Sequence, residues 1–143
     1  MKTMSSRVEE FHRRHGFPVD HPLTSEGRHF TECLSNASGA LKVLETVFRA
    51  NEDDQRCVRA SLLVGELAEV LEALAACDKE QLAKELADAA YVTAGTCVAY
   101  GIPMEECFDR IADANDTKEN VTLHGDRGKG ENYVAPSVED LLR

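Results

Sequence analysis

The sequence predicts an all-α protein, a bundle of four to five helices followed by a polar C-terminal tail. Apolar residues recur at helical intervals along most of the chain, and no stretch alternates apolar and polar residues for long. Glycine, proline and acidic residues stand where these periodic segments begin and end. The 143 residues are enough for one hydrophobic core, so we expect a single domain over residues 1–143.

Two helices are expected in the first third of the chain. The first covers about residues 6–15, because Gly16 and the Pro18 that follows would end it, and a polar linker comes next. Residues 1–30 are therefore interpreted as a peripheral N-terminal segment. The second helix is expected over about residues 31–49.

Three further helices complete the predicted bundle. The third begins at Asp53 or Asp54, whose acidic side chains suit a helix N terminus, and ends near Cys77. It should pack antiparallel to the second helix. A fourth, the most apolar, is expected over residues 78–100, and a fifth over residues 103–117.

The last part of the chain, residues 121–143, reads as a polar, glycine-rich tail. Ser137, with acidic residues behind it, indicates one final helical turn. Arg127 and Lys129 are flanked by glycines and are interpreted as ordinary loop residues. The GDRGKG stretch lacks the spacing of a phosphate-binding loop, so any phosphate must be held in another way.

Charge and cysteine content exclude several classes of function. The formal net charge of -10 argues against a sequence-independent grip on nucleic acid or an anionic membrane. Five scattered cysteines without a CxxC pair indicate free thiols. No apolar signal segment or membrane span is apparent, so we expect a cytoplasmic protein that is neither exported nor anchored.

The third predicted helix carries three glutamates at intervals of three residues. Glu66 falls within the apolar stripe formed by neighbouring leucines and valines, and Glu69 lies at its edge. Glu72 lies further round, on the polar side. We therefore expect Glu66 and Glu69 to be the more buried pair.

The fourth predicted helix carries Glu85 and Asp88, again three residues apart, ahead of an uncharged run over residues 89–100. Moving an ionised carboxylate out of water costs several kcal/mol unless it is paired or metal-bound. Lys84 can pair one acid but cannot neutralise four. One or more Mg²⁺ ions would match hard oxygen ligands, so two acidic motifs on apolar helices favour a metal site.

These motifs resemble a known family. GELAEVLEAL and KELADAAYV are similar to the ExxE and ExxD motifs of the MazG-like, all-α nucleoside triphosphate pyrophosphohydrolases, which are related to phosphoribosyl-ATP pyrophosphohydrolases and dimeric dUTPase-like enzymes. ADANDTKEN and GKGENYVAP resemble the downstream elements of the family, and EFHRRHGFP resembles the start of a branch with dUTP-hydrolysing members. The resemblance covers roughly residues 11–136.

The resemblance implies a reaction and a set of site residues. Mg²⁺, for which Mn²⁺ can substitute, would bridge a nucleoside triphosphate and activate water to attack the α-phosphorus. The products would be the nucleoside monophosphate and pyrophosphate, with dUTP, dCTP and phosphoribosyl-ATP among the substrates left open. Asn115 and Lys118 would hold phosphate oxygens. The implied metal ligands and catalytic groups are Glu66, Glu69, Glu85 and Asp88.

One departure from the family pattern leaves the number of metal ions open. Many members begin the first motif with two adjacent glutamates, whereas this chain has Gly65 before Glu66, as some other members do. The missing ligand either removes one metal site or is replaced by Glu72.

Two alternative functions remain at this stage. Glu9 with His12 and Glu26 with His29 are formally ExxH pairs of the kind found in di-iron bundles, although they lie outside the apolar helices. A non-enzymatic helical interaction module would be favoured if the motif glutamates were surface salt-bridge partners. Tyr91 is interpreted as core packing or as a contact to the base.

The apolar fourth and fifth helices also lead us to expect a homodimer or a dimer of dimers.

Overall fold

The computed structural model describes residues 1–124 and 128–143. Within these ranges the chain forms five α-helices, one short 3-10 turn at Glu139–Leu141 and no β-strand. The all-α prediction is confirmed. The helices are α1 (Met4–His15), α2 (Arg28–Arg49), α3 (Gln55–Ala76), α4 (Lys79–Tyr100) and α5 (Met104–Asp116).

The helix ends follow the capping residues that the sequence supplies. Asp54 Oδ1 accepts a hydrogen bond from the backbone N–H of Arg56 at 2.9 Å, which fixes the start of α3. Asp78 Oδ1 accepts from the N–H of Gln81 at 2.9 Å and does the same for α4. Gly101 takes the left-handed conformation, with φ of 66°, directly after α4.

The contacts between Cα atoms divide the chain into two compact units. The central unit is Pro22–Thr96, and the terminal unit combines Met1–His21 with Cys97–Arg143. Helix α4 begins in the central unit and ends in the terminal unit. The single-domain expectation stays a prediction.

In the central unit, α2 and α3 form the expected antiparallel pair. Ser38 is almost completely buried, and its hydroxyl donates a 2.8 Å hydrogen bond to the backbone carbonyl of Ala68 on the facing helix. Ala68 itself is fully buried, as small side chains at a close helix contact must be. Val70 and Ala73 add the other buried apolar side chains of α3.

The apolar surface of the central unit is less covered than the sequence indicates. Val70 is buried as expected, but Leu67 of the same predicted stripe is about half exposed. On α4, Tyr91, interpreted from the sequence as core packing or as a contact to the base, remains 81% exposed and is not part of the core.

In the terminal unit, an arginine holds α1 against α5. The guanidinium of Arg7, 15% exposed, forms ion pairs of 3.2, 2.6 and 3.1 Å with Asp109, Asp113 and Asp116. Phe11 and Phe17 also meet edge to face, with ring centroids 6.0 Å apart. The first 21 residues, which the sequence analysis interpreted as peripheral, are therefore docked within their unit.

The described part of the tail also contacts α5. Thr117 Oγ1 accepts a 2.9 Å hydrogen bond from the N–H of Val134, and Arg110 pairs with Asp140 at 2.8 Å. Gly128 has φ of 86°, and a Cβ there would lie 2.8 Å from the carbonyl oxygen of Glu119, so only glycine fits this position. The loop interpretation of Arg127 falls outside the described residues.

Two expectations from composition can be compared with the structure. The cysteines form no disulfide, and all five are free. Among the described residues, no helix combines the length and the apolar character needed to cross a membrane.

Candidate metal centre

Three carboxylates from two helices converge in the central unit. Glu66 comes from α3, and Glu85 and Asp88 come from α4, where a separation of three residues places both on one face. One carboxylate oxygen of each lies within 4.8 Å of the others. We call these three residues the carboxylate trio. The sequence analysis had placed all three among the metal ligands.

The spacing of the trio suits a small divalent cation. Mg²⁺ binds oxygen at roughly 2.0 to 2.1 Å, so opposite ligands of an octahedral site are about 4.2 Å apart. Oxygens already within 4.8 Å of one another need only side-chain adjustments to reach that distance. Carboxylate oxygens are also the hard donors that this ion prefers. The residues present therefore fit the ion.

The trio extends from the protein interior to the surface. Glu85 is 8% exposed, Glu66 is partly buried, and Asp88 is exposed. The side-chain amide of Gln81, one turn before Glu85, donates a hydrogen bond to Glu85 Oε1. This contact fixes the buried carboxylate and leaves its second oxygen for another partner, while the exposed Asp88 leaves the site open to solvent.

Electrostatics at the trio are unfavourable in the absence of a cation. Burial raises the pKa of Glu66 above its ordinary value, and the negative charges of Asp88 and Glu85 raise it further, with smaller contributions from Glu69 and Glu45. Within the described residues, no Lys or Arg forms an ion pair with any member of the trio. A bound divalent cation would relieve this repulsion.

Glu69 and Glu72 are not members of the trio, and they share a lysine. Lys42 on α2 contacts Glu72 directly, and its Nζ lies 4.0 Å from Glu69 Oε1. This hydrogen bond lowers the pKa of Glu72, whereas burial and the charge of Glu72 raise the pKa of Glu69. The Glu69 side chain is 47% exposed, so the buried partner of Glu66 is Glu85 instead. The ligand roles of Glu69 and Glu72 stay predictions.

Asn115 and Lys118, the predicted phosphate-binding pair, belong to the terminal unit. Asn115 lines a cleft with Phe11 and Phe108, and Lys118 lines another with Arg14 and His15. Both side chains are partly buried, and neither makes a side-chain hydrogen bond to another described residue. Their role in holding phosphate stays a prediction.

Sequence reasoning missed two charged residues of the central unit. The carboxylate of Glu45 on α2 lies against the backbone of Gly65, since a Cβ there would be 3.1 Å from Glu45 Oε1. Arg59, seven residues before Glu66 on α3, has Nη1 3.3 Å from the position of a Cβ on Gly95. A glycine inside a helix often marks a close approach, so Gly65 and Gly95 were the available signals.

Comparison with known proteins agrees with the all-α fold. Residues 41–115, just over half of the chain, match the sequence model of the family described as phosphoribosyl-ATP pyrophosphohydrolase. The fold and the match together define a MazG-like, all-α pyrophosphohydrolase. The chain belongs to the phosphoribosyl-ATP pyrophosphohydrolase family. Searches of curated proteins and of solved structures returned no match.

The family match has a functional consequence at a coarse level. It indicates an enzyme of the nucleotide pyrophosphohydrolase type, and members of the family are typically metal-dependent. The matched range contains the whole trio and Asn115, and it ends before Lys118.

Proposed function

We propose that the protein is a Mg²⁺-dependent pyrophosphohydrolase that cleaves a nucleoside or deoxynucleoside triphosphate to the monophosphate and pyrophosphate. The observation that carries this proposal is the carboxylate trio, whose three acids converge and form no ion pair with a lysine or arginine of the described chain. Candidate substrates include dUTP and dCTP. Mn²⁺ is expected to substitute for Mg²⁺, because both accept the same oxygen ligands.

Charge supports a metal-bridged substrate. A triphosphate carries about four negative charges near neutral pH, and the protein itself has a formal charge of -10, so direct binding would be opposed. A bound Mg²⁺ ion neutralises phosphate charge and lowers the pKa of a bound water. Glu66, Glu85 and Asp88 would hold the ion in this arrangement, with Gln81 keeping Glu85 in place.

Glu69 is suited to receive a proton from the attacking water. It follows Glu66 by three residues on α3, which places the two side chains on neighbouring parts of one helix face. Its pKa is raised above the ordinary value by burial and by Glu72, and a more basic carboxylate is a better proton acceptor near neutral pH. Lys42, 4.0 Å away, would restrict the orientation of the Glu69 carboxylate. Asn115 and Lys118 are proposed to bind phosphate oxygens.

Phosphoribosyl-ATP is the second candidate substrate. The description of the matching family names it, and hydrolysis would break the same kind of phosphoanhydride bond. Whether the enzyme prefers phosphoribosyl-ATP or a nucleoside triphosphate depends on the residues that surround the base and the sugar. A direct comparison of the rates on both substrates therefore decides between them.

A non-enzymatic interaction module would require the motif glutamates to serve as salt-bridge partners. Among the described residues, neither Glu66 nor Glu85 forms an ion pair, and Glu85 is buried. These observations favour a cation site over a solvated helix face.

We also propose that the protein forms a homodimer or a dimer of dimers. In the central unit the buried apolar side chains are Ala68, Val70 and Ala73, a small core for a unit of this length. On α4, Leu86, Tyr91 and Val98 are half to mostly exposed. A second copy of the chain would bury such a face. Sedimentation velocity at micromolar concentration tests this, and a stable monomer would contradict it.

The activity test compares two identical substitutions on one helix. Purified protein is incubated with Mg²⁺ and each common NTP and dNTP, and with phosphoribosyl-ATP, while monophosphate and pyrophosphate are quantified. Glu85→Gln should abolish product formation yet keep the contact to Gln81 through its amide oxygen. Glu80→Gln, at an exposed position paired with Lys84, should leave activity unchanged. Equal activity of both variants, or no hydrolysis of any substrate by the wild type, would refute the proposal.

A further inference from the structure

The carboxylate of Glu45 occupies the space beside Gly65 in which any other residue would begin its side chain. A Cβ placed on Gly65 would lie 3.1 Å from Glu45 Oε1, 3.2 Å from Cδ and 3.4 Å from Oε2. All three distances are shorter than or at the edge of ordinary packing contacts. The α2 carboxylate therefore sits directly beside the backbone that carries Glu66.

The environment of Glu45 differs from that of a solvated surface glutamate. Its side chain is 23% exposed, compared with 47% for Glu69 and 48% for Glu72. Arg49, one turn later and largely exposed, pairs with Oε1 at 2.7 Å. Among the described residues, Oε2 has no hydrogen-bond or ion-pair partner. One oxygen is thus held by Arg49, and the second is available for another ligand.

Glu45 reaches α3 from a different helix than Glu85 and Asp88 do, and its charge acts on Glu66. Glu85 and Asp88 approach Glu66 from α4, whereas Glu45 approaches the neighbouring residue from α2. Glu72, the other glutamate considered as an additional ligand, is already engaged by Lys42.

We propose that Glu45 is a further carboxylate of the divalent-cation site, entering the ion's coordination or hydration shell from α2 in the place that a glutamate at position 65 would occupy. Mg²⁺ commonly keeps several water ligands, so a carboxylate beside the trio contributes either directly or through one water. This inference rests on the proposed metal-dependent function and deepens it, because it assigns a ligand-supplying residue from outside the two acidic motifs.

The test measures binding of Mn²⁺ alone, by electron paramagnetic resonance of the free ion, and needs no substrate. Glu45→Gln should weaken Mn²⁺ binding by about 10- to 100-fold, the range seen when residues supporting a metal ligand are changed. Arg49→Gln is the control, since it breaks the same ion pair but keeps the carboxylate, and it should bind Mn²⁺ within about 3-fold of the wild type.

The second test moves the carboxylate from position 45 on α2 to position 65 on α3. Glu45→Ala/Gly65→Glu, in which the shortened residue 45 vacates the space beside Gly65, should recover most of the lost affinity, whereas Glu45→Ala/Gly65→Ala should not. If Arg49→Gln weakens binding as much as Glu45→Gln does, or if the two double variants bind equally, Glu45 has only a structural role and the inference is wrong. Circular dichroism confirms that each variant is folded.

The same titration separates this inference from the proposed function. If Glu85→Gln abolishes Mn²⁺ binding but Glu45→Gln does not alter it, the metal centre stands and Glu45 is excluded from it. If Glu85→Gln also leaves Mn²⁺ binding unchanged, the proposed centre itself is wrong, and the inference about Glu45 fails with it.

Discussion

Two clusters in the molecule each bring three carboxylates together, and they differ in whether a positively charged side chain neutralises them. In the terminal unit, Asp109, Asp113 and Asp116 of α5 surround the guanidinium of Arg7. In the central unit, the trio of Glu66, Glu85 and Asp88 converges with no described cation beside it. The first cluster is complete as an ion-pair network, whereas the second requires a cation from outside the chain.

This difference shows that the spacing of acidic residues does not by itself identify a metal site. Both clusters place acids three or four residues apart on helices, as solvated helix faces also do. A basic residue on the packed partner helix distinguishes them. Helix α1 supplies Arg7 to the aspartates of α5, whereas no lysine or arginine of the described chain forms an ion pair with the trio. A cluster of acids neutralised by a basic side chain of the protein has a structural role, whereas a cluster that lacks one can bind a metal ion.

The largest expected effect separates the two clusters by activity. Asp88→Asn should lower kcat/KM for pyrophosphate release by more than about 100-fold, because loss of a metal ligand costs more than the 10- to 100-fold lost with its supporting contacts. Asp113→Asn makes the same chemical change in the Arg7 network and should stay within about 3-fold of the wild type. A similar loss of activity in both variants would mean that the comparison does not separate function from structure.

Added metal should stabilise the protein through the trio alone. At a free Mg²⁺ concentration of about 100 times Kd, mass action adds about 2.7 kcal/mol to the free energy of unfolding, which corresponds to a rise in Tm of roughly 5 to 10 °C. NaCl at matched ionic strength is the control for screening. Asp88→Asn should abolish the rise and Asp113→Asn should retain it. A rise that NaCl reproduces would indicate simple screening of the acidic chain.

Replacing Arg7, the cation of the terminal unit, should lower stability but leave the response to Mg²⁺ intact. Arg7→Met leaves Asp109 and Asp113 without their ion-pair partner, while Asp116 keeps its contact with Arg14. The variant should lower the free energy of unfolding by about 1 to 2 kcal/mol, a moderate loss because the aspartates are substantially exposed. Chemical denaturation measures the loss, which should shrink at high salt as repulsion among the aspartates is screened. The Mg²⁺-dependent rise in Tm should persist in the variant. Its disappearance would contradict the separate roles of the clusters.

Local sequence signals were sufficient to predict the helices and the trio. Capping aspartates marked the start of α3 and α4, and the ExxE and ExxD spacing brought Glu66, Glu85 and Asp88 to attention. These features depend on residues within one or two helical turns, which the sequence displays directly.

Contacts between distant segments could not be predicted in the same way. Arg7 meets Asp116 across 109 positions of sequence, and Glu45 meets Gly65 only because of the register in which α2 packs on α3. Nothing in the residues around Glu45 marks it, since the register depends on close contacts such as Ser38 with Ala68. The exposure of Tyr91 on α4 could not be predicted for a related reason, because hydrophobicity does not reveal whether the same chain covers a residue.

The smallest expected effect is a pH dependence of stability that arises at Glu66. Burial, followed by Asp88 and Glu85, raises the pKa of Glu66, so the metal-free folded state holds its proton more tightly than the unfolded chain does. This contribution to stability is present below the ordinary glutamate pKa of 4.5 and is lost as pH rises through the raised value. Arg7, whose pKa is raised by its aspartates, stays charged throughout this window and should contribute no slope.

The measurement is the difference in the free energy of unfolding between the wild type and Glu66→Gln, followed from pH 4 to 8 by chemical denaturation in the presence of a chelator. Taking the difference removes the titration of other groups, such as Asp54, whose pKa is lowered to about 2 by Arg56. The advantage of the variant should grow as pH rises, and saturating Mg²⁺ should reverse this trend because the ion binds the deprotonated carboxylate. A difference that does not change with pH would show that the charges of the trio are already compensated in the metal-free protein. The contrast with the Arg7 network would then lose its physical basis.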